Sequence, residues 1–255
     1  MTAPLKIPLR LSEIFTSTVA ILLCLQLIAC SGERYTALMN AARNGDTEAV
    51  THMIDLGASL NQKTSRGKTA VMLAAAGGFT DTVKVLVDRG ADFDLRDDYG
   101  TTALIAAATA GHASTAALLI DYGADPTFKD TSGGSALSNA TFFGHTDVVL
   151  AMLDKMKELP SEAGNELLLL AAGLGHEKIA KSLLDRGIDP NARGIKDRTP
   201  LMAAAAFDKI KLVKLLLASG ADPAAKDEEG VNALQVAMNK GNPEIVSLLK
   251  QTEKK

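Results

Sequence analysis

Few residues of this chain have types and spacing that could do chemistry. His52, His112, His145 and His176 could ligate a metal or move protons, and Arg66-Gly67-Lys68-Thr69 has the form of the end of a phosphate-binding loop. A metal needs several ligands converging on one point. His112, His145 and His176 instead lie 33 and 31 residues apart, each directly behind a glycine, a placement that spreads them into a column. His52 stands alone on a helical segment. The loop G-x-x-x-x-G-K-[ST] needs a glycine at position 62, where Gln62 stands, and a hydrophobic strand before it, which is missing. No G-x-S-x-G elbow is present. The expectation is therefore no enzyme, no metal and no cofactor.

Basic residues recur at one phase: Lys63, Arg96, Lys129, Arg193 and Lys226, with Asp97, Asp130 and Asp227 following three of them. Alternating signs make this a solvated mixed-charge column rather than an anion site. The whole chain has 27 Lys+Arg against 30 Asp+Glu, so its formal charge of −3 gives nucleic acid no footing. With 47% hydrophobic residues and 22% charged, the 255-residue chain is neither a disordered tail nor a disulfide scaffold. Only 4% are aromatic and tryptophan is absent, so alanine and leucine must fill the core of closely packed helices.

The elements that position these residues follow a period. Thr36-Ala37-Leu38 recurs as Thr69-Ala70-Val71, Thr102-Ala103-Leu104 and Ser135-Ala136-Leu137, each 33 residues on, and again as Thr199-Pro200-Leu201 and Asn232-Ala233-Leu234. Glu166-Leu167-Leu168 is a degenerate copy displaced by 31. Seven residues after each copy stands a glycine, with Asp208 the exception. Units close on Gly57-Ala58-Ser59, Gly90-Ala91-Asp92, Gly123-Ala124-Asp125, Gly187-Ile188-Asp189 and Gly220-Ala221-Asp222. Each unit reads as two short helices and a turn rich in Asp, Pro and Gly. After Val148-Val149 the pattern breaks: Gly-Ala-Asp is missing and Leu159-Pro160-Ser161-Glu162-Ala163-Gly164 replaces a turn. A longer helix and a shortened or missing finger beside Phe142-Phe143 are expected there.

On these residues the chain resembles the ankyrin repeat family, with seven repeats. The resemblance implies an all-α ankyrin-repeat solenoid of helix-turn-helix units with β-hairpin or turn fingers, which binds a protein partner on its concave face. It also implies that His112, His145 and His176 are hydrogen-bond partners between helix ends. One departure runs through every unit. Where many family members have histidine in T-P-L-H, this chain has Met39, Met72, Ile105, Ser138, Leu169, Met202 and Gln235, so that histidine's hydrogen bond is expected to be missing throughout. Met72, Ile105 and Met202 would extend an adaptable apolar surface, or merely fill packing gaps. By phase, the concave face should also present Phe142, Phe143, Leu174 and Phe207 on three consecutive units, between polar end repeats. Clustered exposed aromatics mark partner sites; the bland alternative is that one of each pair, such as Phe143, tucks between helices.

The first thirty residues read as an address. Lys6 and Arg10 precede an apolar stretch from Ile14 to Ala29, whose uninterrupted core from Val19 to Leu25 is far short of a spanning helix. It ends in Leu27-Ile28-Ala29-Cys30, which resembles the bacterial lipobox. That resemblance implies a signal peptide over 1–29 and a lipidated Cys30 with a short tether over 30–34; the repeats then place their domain over 35–251, with a charged tail over 252–255. Ser31 behind the cysteine implies the outer membrane, facing the periplasm. The resulting expectation is a monomeric, non-enzymatic envelope protein, held on the membrane through Cys30, that binds one or more proteins. An immunity-type inhibitor of an envelope enzyme or toxin, and a secreted effector acting on host proteins, are the alternatives.

Overall fold

The computed structural model describes residues 35–252, and the leader, Cys30 and the last three residues lie outside them. Among the described residues are fourteen α-helices in seven antiparallel pairs: α1 (Ala37–Asn44) and α2 (Thr47–Asp55), α3 (Ala70–Ala76) and α4 (Thr80–Asp88), α5 (Ala103–Thr109) and α6 (Ala113–Asp121), α7 (Ala136–Phe142) and α8 (Thr146–Lys155), α9 (Ser161–Leu174) and α10 (Glu177–Asp185), α11 (Pro200–Ala206) and α12 (Ile210–Ala218), and α13 (Ala233–Lys240) and α14 (Pro243–Thr252). The first helices of the pairs stack on one another as an inner layer and the second helices as an outer layer. The last helix runs one residue past the expected domain boundary.

Most inner helices have only seven or eight residues, too few to be stable alone. The repeated Thr-Ala-Leu explains how they begin. Thr36, Thr69, Thr102, Ser135, Thr199 and Asn232 are N-caps whose side chains accept the amide three residues on, as Thr36 does from Met39 at 3.2 Å. Their packing rests on alanine: Ala42, Ala74, Ala75, Ala107, Ala108, Ala140, Ala172, Ala204 and Ala205 are fully buried between adjoining units. On the outer layer Leu119, Leu183, Leu216 and Leu249 are fully buried, and each leucine adjacent to them in sequence is half-buried. No unit can bury these faces alone, so the stack is one cooperative body.

Fingers connect each outer helix to the next inner one. Five of the connections have 14 residues, and the one between α8 and α9 has five. Here the residues that make a finger elsewhere have become helix: α9 runs 14 residues where α3, α5, α7 and α11 have seven. Among the described residues the fingers hold no strand, only an isolated antiparallel bridge between Lys129 and Ser135. Their shape comes from side chains folding back on the turn. Asp97 Oδ1 accepts from the Tyr99 and Thr101 amides at 2.9 and 2.8 Å, and Asp130 and Asp227 repeat the arrangement. The finger before α11 has Gly194 at this position and closes instead through a short 3-10 turn, Ile195–Asp197, with Lys196 and Asp197 in the left-handed region.

Candidate partner-binding face

The four residues read by phase as concave-face anchors are exposed. Phe142, Phe143 and Phe207 keep 60%, 57% and 63% of their surface, and Leu174 keeps 38%. They stand at the C-terminal ends of α7, α9 and α11 because each inner helix ends there and its last side chains have no following turn to cover them. Phe143 does not tuck between helices. Its ring meets Phe142 edge-on, centroids 5.3 Å apart, and stacks near His145 at 6.3 Å. Phe207 lies over Gly173 of the preceding unit, 3.5 Å from where a side chain there would begin. Three consecutive repeats thus share an apolar strip in an otherwise aromatic-poor molecule.

The strip continues where sequence phase did not point. Beside Phe207 a cleft of about 430 Å³ runs between α11 and α13, floored by Ala203, Ala206 and Val236 and rimmed by Arg198, Asp227 and Lys240. A second cleft, of about 250 Å³, lies under the exposed finger tip residue Tyr99, against Leu73, Ala76 and Ala106. Tyr99 and Ile195, the latter 90% exposed, belong to finger tips, and Met238 to the last inner helix. Their signal in the sequence was an apolar residue inside a polar turn, or one turn short of a helix end.

Met72, Ile105 and Met202 are a correction. They retain only 3%, 2% and 2% of their surface and cannot serve as an adaptable binding surface. Each is the third residue of a short inner helix, where the side chain leans back toward the N-terminus and onto its own cap. No histidine stands at these positions, but at five of the seven another acceptor takes up the helix-start amide. The sulfurs of Met39, Met72 and Met202 sit 3.4–3.5 Å from the Thr36, Thr69 and Thr199 amides, while Ser138 Oγ and Gln235 Oε1 accept from Ser135 and Asn232 at 2.8 and 2.9 Å. Thioether is a weak acceptor, yet it closes a reciprocal capping box. Ile105 has no acceptor, and Thr102 caps α5 in one direction alone.

The histidines sit between helix ends. His112 Nε2 donates to the Ala76 carbonyl and His145 Nε2 to the Thr109 carbonyl, both at 3.1 Å, each thereby pinning one unit to its predecessor. His176 faces the Thr141 carbonyl without a well-formed hydrogen bond. Burial pushes its pKa down, the nearby Lys209 acts in the same direction, and Thr141 opposes them. His52 is exposed. Among the described residues no three His, Cys, Asp or Glu side chains group as a metal site.

The basic column is engaged within the stack. Lys63 donates to the Arg96 carbonyl at 2.9 Å, Arg96 lies 3.5 Å over the Phe128 ring, Lys129 pairs with Glu166 at 2.8 Å, and Arg193 donates to the Lys226 carbonyl at 2.7 Å. Lys68 and Thr69 serve the turn and the α3 cap: the Lys68 amide donates to Thr64 Oγ1 at 3.1 Å. The missing finger lies at the N-terminal ends of the inner helices. Phe142 and Phe143 are at the opposite end of α7, about 10 Å away for seven residues of helix, so the notch and the aromatic strip are separate features. No helix of the described residues is long and apolar enough to cross a membrane.

Comparison with known proteins places this geometry. No curated protein matches the chain. The family model described as ankyrin repeats matches residues 38–130, 123–194 and 193–255. The ankyrin repeat domain of human ASB11 is 25% identical, with a TM-score of 0.74 over 84% of this chain and 98% of that one. The ankyrin repeat domain of Bcl-3, a member of the IkappaB protein family, has the same TM-score at 24% identity, over 85% and 98%. Such repeats are protein–protein interaction modules. With the model covering the stack from the first inner helix to the last outer one, this chain belongs to the ankyrin repeat family.

Proposed function

We propose that this protein is a non-enzymatic interaction module, lipid-anchored in a bacterial cell envelope, that holds a protein partner on its concave face. The observation behind the binding site is the strip of Phe142, Phe143, Leu174 and Phe207, exposed on three consecutive repeats of a chain with only seven phenylalanines. Exposed aromatics cost solubility, and an interface core is where they are desolvated to advantage. The anchor rests on Leu27-Ile28-Ala29-Cys30 behind a basic and then apolar leader. Only Ser31 to Arg34 would then separate the lipid from Tyr35, a tether of at most about 18 Å. The solenoid would stand against its membrane, the outer one on the strength of Ser31.

Two measurements test this reading. Labelled palmitate should enter the protein and be lost on Cys30→Ala; incorporation that survives the substitution would remove the anchor. Phe142→Ser with Phe207→Ser should leave the melting transition in place while abolishing partner capture from envelope extract. A large fall in stability would instead make these side chains part of the core.

A further inference from the structure

The fingers form a backbone ladder of their own, and it is interrupted. The Asp98 amide donates to the Arg66 carbonyl at 3.1 Å, Thr131 to Tyr99 at 2.9 Å, and Glu228 to Lys196 at 3.1 Å. The same phase assigns the next rungs to the Ser132 carbonyl and the Ile195 amide. Repeat five supplies no finger between them, and among the described residues neither group has a backbone partner. Close packing tells the same story. A Cβ on Gly67 would meet the following finger's Asp97 Cα at 2.9 Å, and one on Gly100 would meet the Thr131 amide nitrogen at 3.1 Å. At the equivalent Gly133 nothing lies within 4 Å. The five residues between α8 and α9 only span the connection and cannot also build a finger.

Beside the break, between the base of the finger before α7 and α9, lies a cleft of about 190 Å³ with chemistry of its own. Leu137 and Leu167 give it an apolar lining, and Ala163 borders it on α9. One ammonium, Lys129, serves two carboxylates there: it is bonded to Glu166 at 2.8 Å and attracted by Glu162, which leaves an excess negative charge. Ile195, the most exposed large apolar residue, stands on the far finger.

We propose that this break in the finger ladder is a docking slot for a turn of a partner polypeptide that bears a basic side chain. The partner supplies an amide to the Ser132 carbonyl and a carbonyl to the Ile195 amide, as an added strand does at an open edge. Leu137 and Leu167 are already buried, so the partner's contribution is a Lys or Arg that reaches the exposed Glu162. The slot is independent of the aromatic strip.

The chain's own finger before α3 provides the probe. Residues 59–68 carry Lys63, Arg66 and Lys68 and no acid, while residues 92–101 carry four aspartates and one arginine. Backbone-cyclised peptides of the two segments are titrated into the purified full chain, followed by fluorescence anisotropy and amide hydrogen exchange. The 59–68 peptide should bind and slow exchange of the Ile195 amide about tenfold or more. The 92–101 peptide should bind about tenfold more weakly, and Ala163→Trp, which fills the cleft, should weaken the 59–68 peptide by a similar factor. If Ala163→Trp lowers the melting point, Glu162→Lys provides the same comparison at an exposed position. Phe142→Ser with Phe207→Ser should leave peptide binding unchanged, which separates this slot from the concave-face reading. No binding up to about 1 mM, binding that leaves Ile195 exchange untouched, or equal affinity for both peptides would overturn the proposal.

Discussion

Repeats two to four and repeat five pack equally well in their helices and quite differently in their fingers. In the first group, each finger passes a backbone hydrogen bond to the next, and Gly67 and Gly100 let the chains approach closely. In repeat five the finger is replaced by two more turns of helix, and the ladder stops at Ser132. The core nevertheless runs through unbroken: Leu104 before the break and Leu168 within it are buried alike, at 1% and 0% exposure. The helical layers and the finger layer are therefore separable. Helix stacking holds the rod together, and a finger can be lost without opening the core, which leaves the finger edge free to vary.

The strongest way to break this comparison is to cut the core on both sides of it. Leu104→Ala and Leu168→Ala should each cost roughly 2–5 kcal/mol in denaturant unfolding, with one shared transition. A cost under about 1 kcal/mol at Leu168 alone would show that repeat five is not continuous with the stack. A smaller effect separates the fingers. Gly67→Ala and Gly133→Ala both place a side chain at positive φ, +78° and +85°, at about 1–2 kcal/mol each. Only Gly67 also meets a neighbouring backbone, at 2.9 Å, so it should lose about 1–3 kcal/mol more. Equal losses in urea midpoint would mean that the finger after Gly133 is as supported as the one after Gly67.

The smallest effect is in pH. His176 has its pKa lowered from the ordinary 6.5, chiefly by burial, so the unfolded chain binds its proton more readily than the folded one. Its contribution is fully present above pH 6.5 and is lost as pH falls through the lower folded value. His176→Asn should flatten the decline in stability between pH 7 and pH 5. Parallel pH profiles for the wild-type chain and this variant would remove the contribution of His176.

Much of the scaffold was legible because it depends on local rules repeated many times. Thr36-Ala37-Leu38 and its copies mark the units, the alanine- and leucine-rich, aromatic-poor composition a core of closely packed helices, and the missing Gly-Ala-Asp after Val148-Val149 the loss of a finger. The exposure of Phe142, Phe143 and Phe207 also followed from phase, since a residue at the end of a short helix has no next turn above it. The misreadings concern side-chain direction. Met72 and Met202 fall at a position that looks free by periodicity, yet they lean back and lie against the amides of Thr69 and Thr199.

The sequence by itself thus determined the period, the seven helix pairs, the alanine and leucine core, and the turn that would be lost, because each follows from spacing along one chain. Only the tertiary structure decided that three apolar candidates are buried beneath their own caps. It also decided that the Ser132 carbonyl and the Ile195 amide have no backbone partner among the described residues. A carbonyl's partner, like a side chain's cover, is set by which neighbouring repeat stands beside it, and that neighbour lies more than thirty residues away in the chain.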